Sequence, residues 1–488
     1  MVSLNFLKKN MKPVIFKDKY SNHYLYSFSK RKLQYISDAL FYILERYLES
    51  ECSVSELSLP SSFSKKEVDF AMKQFRFYKE NGFLDEEVFN ICTSFDVNDI
   101  RYSSVRVITF EVTQKCNLDC EYCVYGDMYS HDGNDHKKEL TFEKAKSVID
   151  FFYNQLSSSS NISNKKKVTI GFYGGEPLLK GKLIKKIVDY VSTLSNPYFF
   201  FEYTMTTNGV LLDRYIDFLA KHNFRLLVSL DGNYKASSYR LTASGRNVFD
   251  EIQKNLIILK ERYPTYFSDR VSFNSVLHDR NSIYDTISYI RGTFNKLPMF
   301  SELSTSNIRY DKSKLMERMY KKIYQSVQQE SNKISIRDYL DVNPMIRRLP
   351  TFFAKALGMD FDSWNSFLFN LNNEYIPTST CLPFSFKVFV SADGLIHLCE
   401  KIGYEYSIGC INSDNQLVFD KEKIAEEYSK YFLLIENECK HCYDFHFCIT
   451  CLFERKMKCK AITKREFVES MIDNVNLLHE KEKLSKKL

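Results

Sequence analysis

The chain lacks any apolar run that approaches the roughly 20 residues a membrane-spanning helix needs. Its opening residues, MVSLNFLKKNMKP, hold no apolar core of the length a secretory signal requires. These absences give the expectation of a cytoplasmic protein with no membrane partner, in which thiols stay reduced. The thirteen cysteines are then expected to serve metal or cluster ligation rather than disulfides. A chain of 488 residues can also bury a large core without covalent staples. A strong excess of one charge is missing too: 68 Lys and Arg face 61 Asp and Glu, a net +7. Such a mildly basic balance suits an acidic peptide or a nucleic acid but is more often just a solvated surface, and no nucleic-acid partner is expected. No internal repeat is evident.

Cysteine itself is absent over long stretches. Only Cys52 and Cys92 precede residue 100, each isolated, as buried small hydrophobes are. None lies between Cys123 and Cys381. What remains is a group of three at 116–123 and a group of eight between Cys381 and Cys459. This divides the chain into an N-terminal module (1–100), a central domain (101–310), a helical bridge (311–378) and a cysteine-rich end (379–488). The length agrees with about three domains. Aromatic residues make up 15 %, which suits a large core; peptide-binding surfaces are also rich in them.

Residues 13–30 read as a hairpin of short strands, 34–50 as a helix with apolar residues at 3–4 spacing, and 64–82 as a second helix between Ser64 and Gly82. FLDEEVF follows as a strand. Strands, helices and a strand in about 90 residues make a winged-helix-like order. From residue 105, strand and helix alternate. VRVITFEV, VTIGFY, FFFEYTMTT, RLLVSLDG and VSFNSVL read as strands, each followed by a helix, with SELSTSNIRY as a sixth strand. That alternation predicts an α/β fold with a parallel sheet, open or closed into a full or partial barrel, and active residues at the strands' C-terminal ends. SSSSNISN (157–164) is a polar loop, and 312–375 read as mainly helical.

Directly after the first strand comes Cys116-x3-Cys120-x2-Cys123. Three thiolates from one loop can hold three irons of a [4Fe–4S] cube, leaving the fourth iron open. A zinc loop is the competing use of such spacing. Here the sequence resembles the radical SAM superfamily: CNLDCEYC has that family's signature, with Tyr122 before the third cysteine. Gly174-Gly175-Glu176-Pro177 ends the second strand as the family's GGEP does, Thr207-Asn208 the third, and Ser229-Leu230-Asp231-Gly232 the fourth, as its S-x-D-G. The resemblance covers about 105–310 and implies a partial (β/α)6 barrel binding S-adenosylmethionine (SAM). It implies that Cys116, Cys120 and Cys123 hold the catalytic cluster. Glu176 would accept the SAM amino group, Ser229 would contact SAM, and Arg240 its carboxylate. The glycines would let backbone approach the ligand. The implied chemistry is one-electron cleavage of SAM to a 5′-deoxyadenosyl radical.

At the other end, CLPFSFKVFVSADGLIHLC reads as a hairpin turning at Ala392-Asp393-Gly394, which would bring Cys381 and Cys399 together. Cys439-x2-Cys442-x5-Cys448-x2-Cys451-x7-Cys459 follows. The region resembles the SPASM domain, with two auxiliary [4Fe–4S] clusters and three in all. Its usual quartet spacing differs by one residue here. By that resemblance Cys439, Cys442, Cys448 and Cys459 hold one cluster, and Cys381, Cys399 and Cys451 the other. Cys410 either completes the second set or leaves an iron open. A pair of structural zinc sites is the rival reading of the C-x2-C pairs.

The first 100 residues resemble, in size and element order, the peptide-recognition element of ribosomal-peptide maturases, which captures a leader by strand addition. The expected function is modification of a ribosomally made precursor peptide, forming a thioether or carbon–carbon crosslink. Expected partners are that peptide and an electron donor such as flavodoxin or ferredoxin. The alternatives are an anaerobic sulfatase-maturing enzyme, which installs formylglycine, and a nucleic-acid-binding winged helix fused to a redox sensor.

Overall fold

The computed structural model describes residues 6–50, 60–92, 94–130, 137–158, 166–305, 307–356, 374–375, 381–444, 448, 451, 453 and 460–488. Cys52, Cys459 and most of the 157–164 loop lie outside the described residues. No helix among those described is long and apolar enough to cross a membrane. The chain forms two compact units: Met1–Asp96 with Pro344–Thr380 and Ala425–Leu488, and Val97–Asn343 with Cys381–Ile424.

In the first unit, β1 (Phe6–Met11) is followed by a three-stranded antiparallel sheet of β2 (Val14–Lys17), β3 (His23–Ser27) and β4 (Lys32–Ile36). Helix α1 (Asp38–Ser50) starts later than the expected residue 34, because Lys32–Ile36 pairs with β3 instead. Helix α2 (Lys65–Glu80) begins with a capping box: Ser64 Oγ accepts from Glu67 N at 3.3 Å, and Glu67 accepts from Ser64 N at 2.8 Å. Leu25, Ile36, Leu40, Ile43, Leu44, Ala71 and Phe75 share one core. The strand β5 (Glu87–Cys92) pairs with β1 rather than with the hairpin, and Glu374–Tyr375 joins its other edge. The helices Lys421–His441 and Lys464–Ser485 belong mainly to this unit. Phe467, on the second of them, is fully buried with its ring 5.7 Å from Phe28.

The second unit is the expected α/β domain. Six parallel strands stand in chain order: β6 (Val107–Thr113), β7 (Lys166–Gly174), β8 (Phe199–Thr207), β9 (Arg225–Ser229), β10 (Val271–Val276) and β11 (Met299–Ser301). Between them run α3 (Phe142–Ser157), α4 (Gly181–Ser192), α5 (Ile216–Lys221), α6 (Phe249–Arg262) with α7 (Pro264–Arg270), and α8 (Ile283–Phe294). Strands added always on the same side, by right-handed crossovers, put every helix on one face and leave the other for a site. β6 is buried along nearly its whole length, as parallel strands covered on both faces are. The sixth strand is shorter and earlier than SELSTSNIRY suggested, since only Met299–Ser301 finds partners on β10.

Lys387–Val390 extends this sheet on the outer side of β6, parallel to it. It turns at Ser391–Gly394, where Gly394 has φ +97°, into Leu395–His397, so the expected hairpin forms. Gly409–Ile411 and Leu417–Val418 continue it, giving a ten-stranded sheet.

Candidate active site

A cavity of about 230 Å³ opens at the C-terminal ends of the parallel strands. Cys116, Cys120 and Cys123 line it from the loop after β6, and Gly174, Gly175, Thr207, Asn208, Ser229 and Arg240 line it from the ends of β7 to β9 and beyond. Thus the strand-end positions singled out in the sequence meet around one space. The loop holds itself: Cys123 N donates to Cys120 O at 2.9 Å, and Gly126 N to Cys123 O at 2.8 Å.

The two glycines are required by the loop's own backbone. A Cβ on Gly174, whose φ is +133°, would sit 2.1 Å from Thr113 O, and one on Gly175 would sit 2.3 Å from Lys115 O. Glu176 is fully buried behind the cavity wall and not among its lining residues. Its carboxylate accepts from Leu178 N (3.0 Å), Thr207 Oγ1 (2.8 Å) and Asn208 N (2.7 Å), tying β7 to β8. Burial raises its pKa to about 7, against the pull of those donors. Pro177 is buried in the turn that follows.

Asp231 is fully buried and works the same way further round the barrel. Arg240 grips it with two hydrogen bonds of 2.9 Å, Val276 N donates at 2.9 Å, and the Tyr122 hydroxyl donates to Oδ2. Burial alone would raise its pKa. Arg240 and the side chain of His278 overcome that and hold it well below the usual carboxylate range. Arg240 thus both lines the cavity and anchors to Asp231, and Tyr122 ties the cysteine loop to the same carboxylate.

His278 was not foreseen. It is fully buried beyond β10, its ring stacks on Tyr122 at 5.7 Å, and its Nδ1 accepts from Arg280 N at 3.1 Å. Tyr125, Tyr173, Asn274 and Glu302 also line the cavity unforeseen. The strand-end rule would have found Tyr173 and Glu302, which end or follow β7 and β11; no motif marks the others.

Three thiols from one loop, lining one cavity with Gly174, Gly175 and Ser229, fit an iron–sulfur cluster with SAM beside it. Burial pushes the Cys116 thiol up to about 11, Cys120 up to about 12, and Cys123 upward as well. Such thiols become thiolates only beside a strong positive charge, which iron supplies. Among the described residues no three His, Cys, Asp or Glu side chains converge on a single metal ion. A four-iron cube is larger than one ion, and its thiolates stand further apart.

Of the other cysteines, Cys399 has Cys381 near enough to add to the burial that raises its pKa. Cys410 lies on Gly409–Ile411, opposite Leu395. In the other unit Cys439 and Cys442 are buried at the end of Lys421–His441, with Cys448 close to Cys442 and the Lys9 ammonium close to both buried thiols. Cys451 lies in that unit's last segment.

Residues 110–283 match the family described as Radical SAM superfamily. The chain is 29 % identical over 180 residues to the "Radical SAM cyclopropyl synthase TigE" of Paramaledivibacter caminithermalis, covering 36 % of this chain and 35 % of that protein. It is 21 % identical to the "Cysteine-type anaerobic sulfatase-maturating enzyme" of Clostridium novyi, over 76 % of this chain and 92 % of that one. Among solved structures, "Native anSMEcpe with bound AdoMet" aligns with a TM-score of 0.45 at 16 % identity, covering 76 % of this chain and 98 % of that one.

Proposed function

We propose, for a chain whose residues 110–283 form a radical SAM domain and which is therefore a radical SAM enzyme, that its substrate is a ribosomally made precursor peptide. The product is a thioether or carbon–carbon crosslink, formed in a reducing cytoplasm. The observation that carries the chemistry is the single cavity where three thiols meet Ser229, Asn208 and Arg240. Cys116, Cys120 and Cys123 would hold the cluster. When bound, it would supply the electron that cleaves SAM to an adenosyl radical.

The protein's own residues bind and orient. Arg240, with one edge spent on Asp231, has remaining N–H groups to offer a carboxylate at the cavity wall. Glu176, buried behind the wall, would serve the SAM ammonium by fixing Asn208 and Thr207, which do line the cavity. Leu118, Tyr125, Tyr173 and Leu303 make the wall largely apolar, which excludes water from a radical reaction. Cys381, Cys399, Cys410, Cys439, Cys442, Cys448, Cys451 and Cys459 would serve two auxiliary clusters. The first 100 residues would take the leader peptide.

The relative named as a sulfatase-maturating enzyme, matched over most of its length, favours a second reading in which a sulfatase residue is oxidised. The test is anaerobic. Reconstituted protein, SAM and reductant should give 5′-deoxyadenosine, and each of Cys116→Ala, Cys120→Ala and Cys123→Ala should abolish it. Incubation with any short peptide encoded by a neighbouring reading frame, or with a sulfatase-derived peptide, then separates the readings by mass spectrometry. Undiminished SAM cleavage by the triple alanine variant would sink both.

A further inference from the structure

Lysines crowd one side of the thiol loop. The segments 137–144 and 179–186, with Lys115, carry eight lysines and two carboxylates. They meet in space. Glu139 bridges Lys115, at 3.1 Å, and Lys180, while Lys186 lies 3.9 Å from Glu143 and 4.0 Å above the Phe142 ring. Lys115 precedes Cys116, the most exposed residue of the three, although its thiol is largely covered. Leu179 adds an exposed apolar side chain beside Lys180.

Part of this charge is met locally: Lys138 pairs with Asp393 at 3.2 Å, and Lys185 lies 5.2 Å over the Tyr215 ring, which leaves the face basic on balance. The α4 helix has no acidic residue in its first turn and places Lys182 and Lys185 in its first two turns, both exposed. Helix N-termini favour anions and disfavour cations. Departures from such local rules are expected where function demands them.

We propose that this face, around the N-terminal ends of α3 and α4, docks an acidic one-electron carrier protein that reduces the cluster at Cys116, Cys120 and Cys123. The inference rests on the radical SAM reading of that loop and names its electron-donor surface. One electron leaves the carrier's reduced cofactor and enters the oxidised cluster; no bond forms or breaks. A lysine face beside Cys116 steers an acidic carrier to that side of the thiol loop. Opposite charges speed such encounters, and salt weakens the effect.

The test mixes full-length reconstituted protein with reduced flavodoxin and follows cluster bleaching by stopped flow. Lys182→Glu/Lys185→Glu should lower the second-order rate constant roughly tenfold at low ionic strength and flatten its salt dependence. Lys182→Glu puts a carboxylate in the first turn of α4, where it favours folding; Lys185 lies a turn further on, over the Tyr215 and Phe218 rings, so circular dichroism is recorded beside the rates. Reduction by a neutral deazaflavin photoreductant, which needs no docking, should be unchanged. Lys221→Glu/Lys254→Glu, the same charge change on α5 and α6, should leave both rates as they were. An unchanged flavodoxin rate, an equal loss in that control, or an equal loss with the photoreductant overturns the proposal. So does loss of leader-peptide binding with the flavodoxin rate intact, which would give the face to the peptide. Failure of the photoreductant to reduce the unmodified protein would fail the radical SAM reading instead.

Discussion

Two buried carboxylates, Glu176 and Asp231, organise the cavity, and their surroundings set them apart. Asp231 faces a guanidinium and stays charged. Removing it by Asp231→Ala leaves Arg240 buried without its partner, a change that costs about 3–5 kcal/mol and should show in denaturant unfolding. Glu176 has neutral donors only, and burial raises its pKa from 4.5 to about 7. Between those values the folded state binds more protons than the unfolded chain, so this group's contribution to stability falls as pH rises from about 4.5 to about 7. Glu176→Gln cannot ionise. The Tm of the unmodified protein relative to that variant should therefore fall between about pH 5 and about pH 8, and a constant difference would show that the carboxyl is not so buried. Glu176→Ala should weaken SAM binding by about 1.5–3 kcal/mol, roughly ten- to a hundredfold, without loss of iron. At this scale the sequence showed which residues cluster, because C-x3-C-x2-C, GGEP and S-x-D-G are local strings. It could not show that Tyr122, Asp231, Arg240 and His278 grip one another, because they come from three separate parts of the chain.

At the scale of elements, the cysteine loop is shaped by the strand beside it. The end of β7 passes so close to the loop that only glycine fits at Gly174 and Gly175. Gly174→Ala should cost about 1–3 kcal/mol from its backbone conformation alone, with the clash against Thr113 O added. Gly175→Ala has ordinary backbone angles but no room, so β7 must move from the loop. The expected result is reduced iron incorporation at Cys116, Cys120 and Cys123 with secondary structure retained, measured by iron assay beside circular dichroism. Full iron content in Gly175→Ala would mean that the loop is set independently of β7. Alternation of apolar runs made β6 to β10 and their helices legible, since strand and helix periods are local. It did not reveal β1, whose LKKN is polar. Nor did it reveal that Lys387–Val390 would join β6, because a strand's pattern states its faces and not its neighbour.

For the whole molecule, the order of segments along the chain differs from their grouping in space. The N-terminal residues 6–92 share a core with the last helix, through Phe28 and Phe467, so deleting 1–100 would strip Lys464–Ser485 of its partners. Leader binding is better tested with surface changes in the full chain. In the described sheet β4 pairs only with β3, leaving an edge to which an extended peptide can add. Tyr35 on that strand is 66 % exposed, and Lys32 stands at its start. On the proposed peptide reading, a cavity that admits a flexible peptide to a radical cannot also hold it tightly, whereas a separate edge can grip the leader and raise the core's local concentration. Lys32→Glu/Tyr35→Ala should therefore weaken binding of an acidic leader by roughly tenfold, about 1.4 kcal/mol, in calorimetry on the intact protein. Peptide modification should fall in step at low peptide concentration and recover at high concentration. SAM cleavage without peptide should persist, and iron should stay at the unmodified protein's level, about twelve per chain for the three proposed four-iron clusters. Unchanged leader affinity would move the docking site off β4. Full modification of a leaderless sulfatase peptide by the same variant would favour the sulfatase-maturing reading.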